Sequence, residues 1–162
     1  MARRPRQGPS TTDFIINKRD YSFQADIDRI VVNTEKRMLM VMKQSLLNAI
    51  NEMQTPVSKG GKMRVDTGFL RASAQASLNG VPNGPSMKPK DATKGQFDDG
   101  SRKYPEIEAT IGQMQFGSTL FFGWTANYAK YREAYDGFAY STIQRWQQIV
   151  DAVVAEAKRR FP

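Results

Sequence analysis

Apolar residues recur at three- and four-residue steps from Phe23 through Ile27, Ile30, Val31, Met38, Val41, Met42, Leu46, Ala49 and Ile50 to Met53. That is the spacing of one face of an α-helix. The pattern predicts a single helix over residues 23–53. Ser22 supplies a candidate N-cap, Asp26 and Asp28 suit the positive end of the dipole, and Pro56 lies just past the stop. At ~1.5 Å per residue such a helix is about 45 Å long. A compact small domain rarely needs that length, so part of the helix is expected to pack between subunits. Met38, Met40 and Met42 read as core or interface filler, not as ligands.

After the helix, Pro56, Gly60 and Gly61 mark a loop. Asp66-Thr67-Gly68 then opens a turn, because Asp and Thr side chains bond backbone N–H groups just ahead and Gly accepts φ > 0 or close backbone approach. Phe69-Leu70-Arg71 reads as one helical turn. Ala72, Ala74 and Ala76 alternate with Ser73, Gln75 and Ser77, which predicts a strand. Residues 81–104 are rich in Pro, Gly and Lys and read as a long loop, either mobile or the tip of an extended hairpin. Ile107-Glu108-Ala109-Thr110-Ile111 alternates and predicts a second strand. Leu120-Phe121-Phe122-Gly123-Trp124 predicts a third, joined to the second in an antiparallel hairpin. Tyr128 to Tyr135 reads as a short helix, and Gly137 separates it from a last helix over 138–160. On that helix Ile143, Trp146, Ile149, Val150, Val153, Val154 and Ala157 mark one face, and Lys158-Arg159-Arg160 suits the negative end of the dipole. Helix, strands and helix together predict an α+β fold, with an antiparallel sheet packed against a long N-terminal and a C-terminal helix.

Two regions lie outside this pattern. Residues 1–21 read as a flexible basic arm with Arg3, Arg4 and Arg6 near its start and the apolar triplet Phe14, Ile15, Ile16 inside it. Either the triplet is incidental to a disordered tail or it docks on a neighbouring subunit. Residues 22–162 then form a single domain. The 81–104 loop presents Lys88, Lys90 and Lys94.

Composition narrows the chemistry. The chain has 162 residues, no Cys and no His. This rules out disulfides, thiolate and imidazole metal sites, Cys nucleophiles and His general bases. No apolar run approaches the ~20 residues of a membrane helix. The 24 Lys and Arg outweigh 16 Asp and Glu, giving a net charge of +8. Such a balance favours anionic partners, either DNA or an acidic protein surface.

Two segments carry a family resemblance. Val65-Asp66-Thr67-Gly68-Phe69-Leu70-Arg71-Ala72-Ser73 and Gly123-Trp124-Thr125-Ala126-Asn127-Tyr128-Ala129-Lys130-Tyr131-Arg132-Glu133 occur in that order, with a helix before and after. The pair resembles the neck proteins of tailed bacteriophages, the head–tail joining or tail-completion family. The residues that match its motifs are Asp66, Thr67, Gly68, Leu70, Arg71, Ser73, Tyr128, Ala129, Tyr131 and Glu133. The family usually places a Gly close behind that Glu, whereas Ala134-Tyr135-Asp136 intervene here before Gly137. The resemblance implies a structural virion protein with no catalytic, cofactor or metal site. It would form a ring, hexameric by analogy, at the head–tail junction, after assembly in the host cytoplasm. The implied partners are other copies of the chain, a capsid connector or head-closure protein, and a tail terminator or tail-tube protein. Double-stranded DNA in the lumen is a further candidate contact. No membrane partner is implied. Arg3, Arg4, Arg6, Phe14, Ile15, Ile16, Lys88, Lys90 and Lys94 are the candidate partner or DNA contacts.

Other readings stay open. The first is a basic DNA-binding module outside a virion, in which Trp124, Tyr128, Tyr131 and Arg132 form a stacking platform. More remote is a homodimeric aspartic protease through Asp66-Thr67-Gly68, in which two copies would share a proton. Phe69 after the Gly, Arg64 before the motif and the long helix all argue against it. Glu106 and Glu108, on one face of the predicted strand, read as a solvated edge.

Overall fold

The computed structural model describes the backbone of residues 11–160 and the side chains of residues 23–160. The chain divides into two compact units, Met1–Met38 and Leu39–Pro162. The boundary falls inside α1, Thr11–Gln54.

In the first unit the described backbone is helical throughout. The helix therefore starts at Thr11, not after Ser22. Residues 11–21, expected as arm, are its first turns. The reason lies in what the segment lacks: no Gly or Pro occurs between Pro9 and Pro56, so nothing breaks the helix once it has formed. Arg3, Arg4 and Arg6 lie outside the described residues, as do the side chains of Phe14, Ile15 and Ile16. Every residue from Phe23 to Met38 is exposed. Phe23 keeps 68% of its surface, Ile30 64% and Met38 55%.

The second unit holds the core. Its elements are the remainder of α1, α2 (Phe69–Ala72), β1 (Ala74–Ser77), α3 (Pro105–Gly112), β2 (Phe121–Trp124), α4 (Ala129–Asp136), α5 (Phe138–Gln144) and α6 (Trp146–Arg160). The fold is α+β, as expected. Its sheet is one antiparallel pair, β1 with β2, in the register Ala74 to Trp124, Gln75 to Gly123, Ala76 to Phe122 and Ser77 to Phe121.

Two expectations fail here. The segment 107–111 is helix, and β2 pairs with β1 instead of forming a local hairpin. Pro105 occupies the first helical turn, where its missing N–H costs nothing. Glu106 and Glu108 sit in the same turn near the positive end of the dipole. They therefore do not share a face as they would on a strand. Ile107 and Ile111, four residues apart, both point inward and are almost fully buried. The C-terminal carbonyl of Gly112 accepts a hydrogen bond from Lys43 Nζ of α1 at 2.6 Å.

One core cluster joins Ile50, Ala74, Tyr104, Ile107, Ile111 and Met114, with Leu46, Leu47 and Phe122 packed on it. A second joins Met63, Leu70, Ala126 and Phe138. Trp124 packs against both. Its ring meets Phe122 and Phe138 edge-on at 5.0 and 4.9 Å. The C-terminal helix expected over 138–160 is broken at Arg145, where the backbone leaves helical geometry (φ −96°, ψ 8°). Ile149 and Val153 of α6 are buried.

Candidate functional site

The two motif segments, distant in sequence, form one structural unit. β1 continues from the first motif and β2 runs into the second, so the ladder between them sets their spacing. Thr125 N–H donates to the Ser73 carbonyl at 3.0 Å, and Ala126 N–H donates to Ser73 Oγ at 3.1 Å. Ser73 Oγ in turn donates to the Leu70 carbonyl at 2.8 Å. A hydroxyl is needed there because it accepts from one motif and donates to the other. Leu70 and Ala129 pack in the second core cluster. Phe69 lies against Tyr128, with ring centroids 6.3 Å apart.

Gly68 is a point of close backbone approach. Its φ is +77°, in the left-handed region that favours glycine. A Cβ there would sit 1.9 Å from the Asp98 carbonyl oxygen. Positive φ and close approach are thus both required. The loop that approaches is bonded to the turn by its backbone. Gly95 N–H donates to the Asp66 carbonyl at 2.7 Å, and Phe97 N–H donates to the Thr67 carbonyl at 2.9 Å. Thr67 Oγ1 accepts from Phe69 N–H at 3.4 Å, the local turn bond that sequence reasoning anticipated. The Asp66 side chain is exposed, and what ties that residue to the loop is its carbonyl.

Arg71 of α2 is buried and ion-paired to Asp98 at 2.7 Å, with Asp98 wholly enclosed. Arg71 Nε also donates to the Gln54 carbonyl at 2.7 Å. Asp98 accepts from Gly100 N–H at 2.7 Å, from Arg102 N–H at 3.3 Å and from the Tyr104 hydroxyl. A buried carboxylate with this many donors is compensated for its lost hydration. Burial, then the bond to Asp98, raises the Tyr104 hydroxyl pKa well above the ordinary tyrosine value. Gln54 closes the network by accepting from Trp124 Nε1 at 3.1 Å. Asp98 was not among the residues singled out from the sequence. The only signal for it was Arg71 itself, a cation on a short apolar turn that needs a counter-ion.

Residues 81–104 form no helix or strand, in keeping with the loop reading. They are nevertheless attached at both ends. Ser86 N–H donates to the Thr125 carbonyl at 2.6 Å, Asn127 N–H donates to the Ser86 carbonyl at 2.9 Å, and the 95–98 stretch is held as above. Lys88, Lys90 and Lys94, between these attachments, are exposed. Lys88 lines a hollow of about 330 Å³ with Arg64, Asp66, Tyr128 and Arg132. Asp136, nearly buried, pairs with Arg64 at 3.4 Å and with Arg132, so part of that charge is neutralised. Burial raises the Tyr128 hydroxyl pKa.

The proposed stacking platform does not come together. Trp124 is spent on the core and Tyr128 is half-buried against Phe69. Tyr131 is 61% exposed, with Lys130 Nζ 4.9 Å from its ring centroid. Glu133 has a capping role. Its carboxylate accepts from Ala139 N–H at 2.9 Å and from Tyr140 N–H at 2.8 Å, satisfying the free N–H groups at the start of α5. Gly137, at φ +60°, makes the intervening turn. The altered spacing behind Glu133 is therefore accommodated by a short helix that ends on Gly137.

Among the described residues there is no cluster of acidic ligands able to hold a metal ion, and no helix is long and apolar enough to cross a membrane. The protease reading calls for a small all-β fold, and Asp66 here precedes a helical turn in an α+β fold. No family model, curated protein or solved structure matches the chain.

Proposed function

We propose that this chain is a structural virion protein that forms a ring at the head–tail junction of a tailed phage. The ring joins the filled capsid to the tail and lets DNA pass. The observation that carries the reading is the fusion of the two motif segments into one unit through Ser73, Thr125 and Ala126. Gly68, Leu70, Arg71, Ser73, Tyr128 and Ala129, six of the residues by which the chain resembles the neck family, pack or bond at this joint. The exposed apolar face of α1 adds support, since surface of that kind marks contacts with other chains. The net charge of +8 and the exposed Lys88, Lys90 and Lys94 suit an acidic neighbouring ring or DNA in a lumen.

The test is a phage that lacks the protein. Head filling and tail polymerisation proceed on separate lines, so both products form and their stable union fails. Electron micrographs of the lysate are expected to show filled or leaking heads beside unattached tails. Complete, infectious particles in that lysate would refute the assignment.

A further inference from the structure

Among the described residues, two apolar surfaces of opposite shape are left open. The convex one is the stripe Phe23, Ile27, Ile30, Val31 and Met38 on α1. These residues are 68%, 38%, 64%, 49% and 55% exposed. At 100° per residue they fall within a band about 100° wide, the width of a core-facing helix stripe. Asp28, Arg29, Asn33 and Lys36 lie off that band. The concave surface is a groove of about 380 Å³ in the second unit, lined among others by Met53, Leu120, Phe122, Trp124, Ile143 and Trp146. Ile143 in its wall is 60% exposed.

We infer that the 23–38 stripe of one copy docks into the 120–146 groove of the next copy, head to tail. The spacing of Phe23, Ile27, Ile30 and Val31 is the i, i+4, i+7, i+8 set by which an amphipathic helix anchors in an apolar groove. A second copy is the occupant because it satisfies both surfaces at once. Each chain donates a stripe to one neighbour and accepts a stripe from the other. Because the two surfaces differ, the contact is heterologous, and repetition closes a ring or extends a filament.

Sixteen helical residues make a rod of roughly 24 Å by 11 Å, and half of its lateral surface is roughly 400 Å². One docking event therefore removes about 800 Å² over both partners, below the ~1,200 Å² of a stable pair. A free dimer is weak on this basis. In a closed ring each chain makes the contact twice, once as donor and once as acceptor of the stripe. The inference rests on the ring reading for its closure and supplies the contact that ring needs.

Disulfide trapping tests it, since the chain has no cysteine of its own. An Ile30→Cys chain is mixed with an Ile143→Cys chain of different tag length and oxidised at the highest concentration the protein tolerates. Lys36→Cys, off the stripe, replaces Ile30→Cys as the control. All three positions are exposed, so none of the variants should unfold. The expected result is at least tenfold more mixed disulfide from Ile30→Cys than from Lys36→Cys. Light scattering on the same samples separates the two claims. Rings without the selective cross-link overturn the docking inference and leave the ring reading standing. A selective cross-link confined to open chains or dimers supports the docking and overturns the ring. Neither rings nor a selective cross-link overturns both.

Discussion

The helix α1 at residues 23–38 and the junction around Arg71 invert the usual assignment of inside and outside. The first exposes Phe23, Ile30, Val31 and Met38, and the second buries a guanidinium and a carboxylate. Apolar area left in water costs free energy wherever partners are absent. A buried charge costs more unless it is paired and bonded. The junction supplies its partners from within the chain: Arg71 and Asp98 engage Gln54, Gly100, Arg102 and Tyr104. The stripe has none among the described residues of its own unit. The junction is satisfied within the chain, whereas the stripe is left to the partner proposed above.

The largest expected effect is at the junction. Asp98→Ala leaves Arg71 buried opposite an empty site and strips an acceptor from two backbone N–H groups. Losing one member of a buried pair costs about 3–5 kcal/mol. Denaturant midpoints for Asp98→Ala, Arg71→Met and the double variant form a cycle. The double is expected to cost clearly less than the sum, because the two residues share one network. Additive losses would mean that the pair is not coupled and that the junction is held by apolar packing alone.

A second variant pair separates two reasons for glycine. Gly68 and Gly60 have similar positive φ, +77° and +85°. Around Gly60 an added Cβ meets nothing within 4 Å, whereas at Gly68 it meets the Asp98 backbone. Gly60→Ala therefore carries only the left-handed penalty, about 1–2 kcal/mol. Gly68→Ala adds displacement of the 95–98 stretch and is expected to cost about 2–4 kcal/mol. Equal losses in urea melts would show that the loop moves aside freely, and the close-approach argument would fail.

Much of this was legible in the sequence, and the failures have physical causes. The long helix showed in its apolar spacing, and α2, β1 and β2 showed in local composition. The apolar spacing misleads at α3 because isoleucines four apart share a face in a helix and in a strand alike. Pro105 was the better guide, since a proline suits a first helical turn. The pairing of β1 with β2 is not legible, because strands near in sequence usually pair and here α3 and the long loop intervene. The Arg71–Asp98 pair was beyond reach, because sequence shows that a buried cation needs a counter-ion but not which one the loop delivers. Ser73, Gly68 and Glu133 were visible as motif letters. Their roles as bridge, contact point and cap required geometry.

Substitutions on the open stripe are expected to change stability least. Ile27→Lys with Ile30→Lys removes two large apolar side chains from α1. If the stripe has no partner in the isolated chain, nothing is lost on folding. Lys is also at least as good a helix former as Ile. The double variant is then expected within about 0.5 kcal/mol of the parent in chemical denaturation, with unchanged helical circular dichroism. Ile50→Ala, on the same helix but buried in the core, is the internal reference and is expected to cost about 2–5 kcal/mol. The two residue types are alike and the helix is the same, so the contrast isolates burial. A loss from the Lys pair as large as that from Ile50→Ala would show that residues 23–38 already pack within the free chain. The inversion would then be a property of the fold and not of an unfinished assembly.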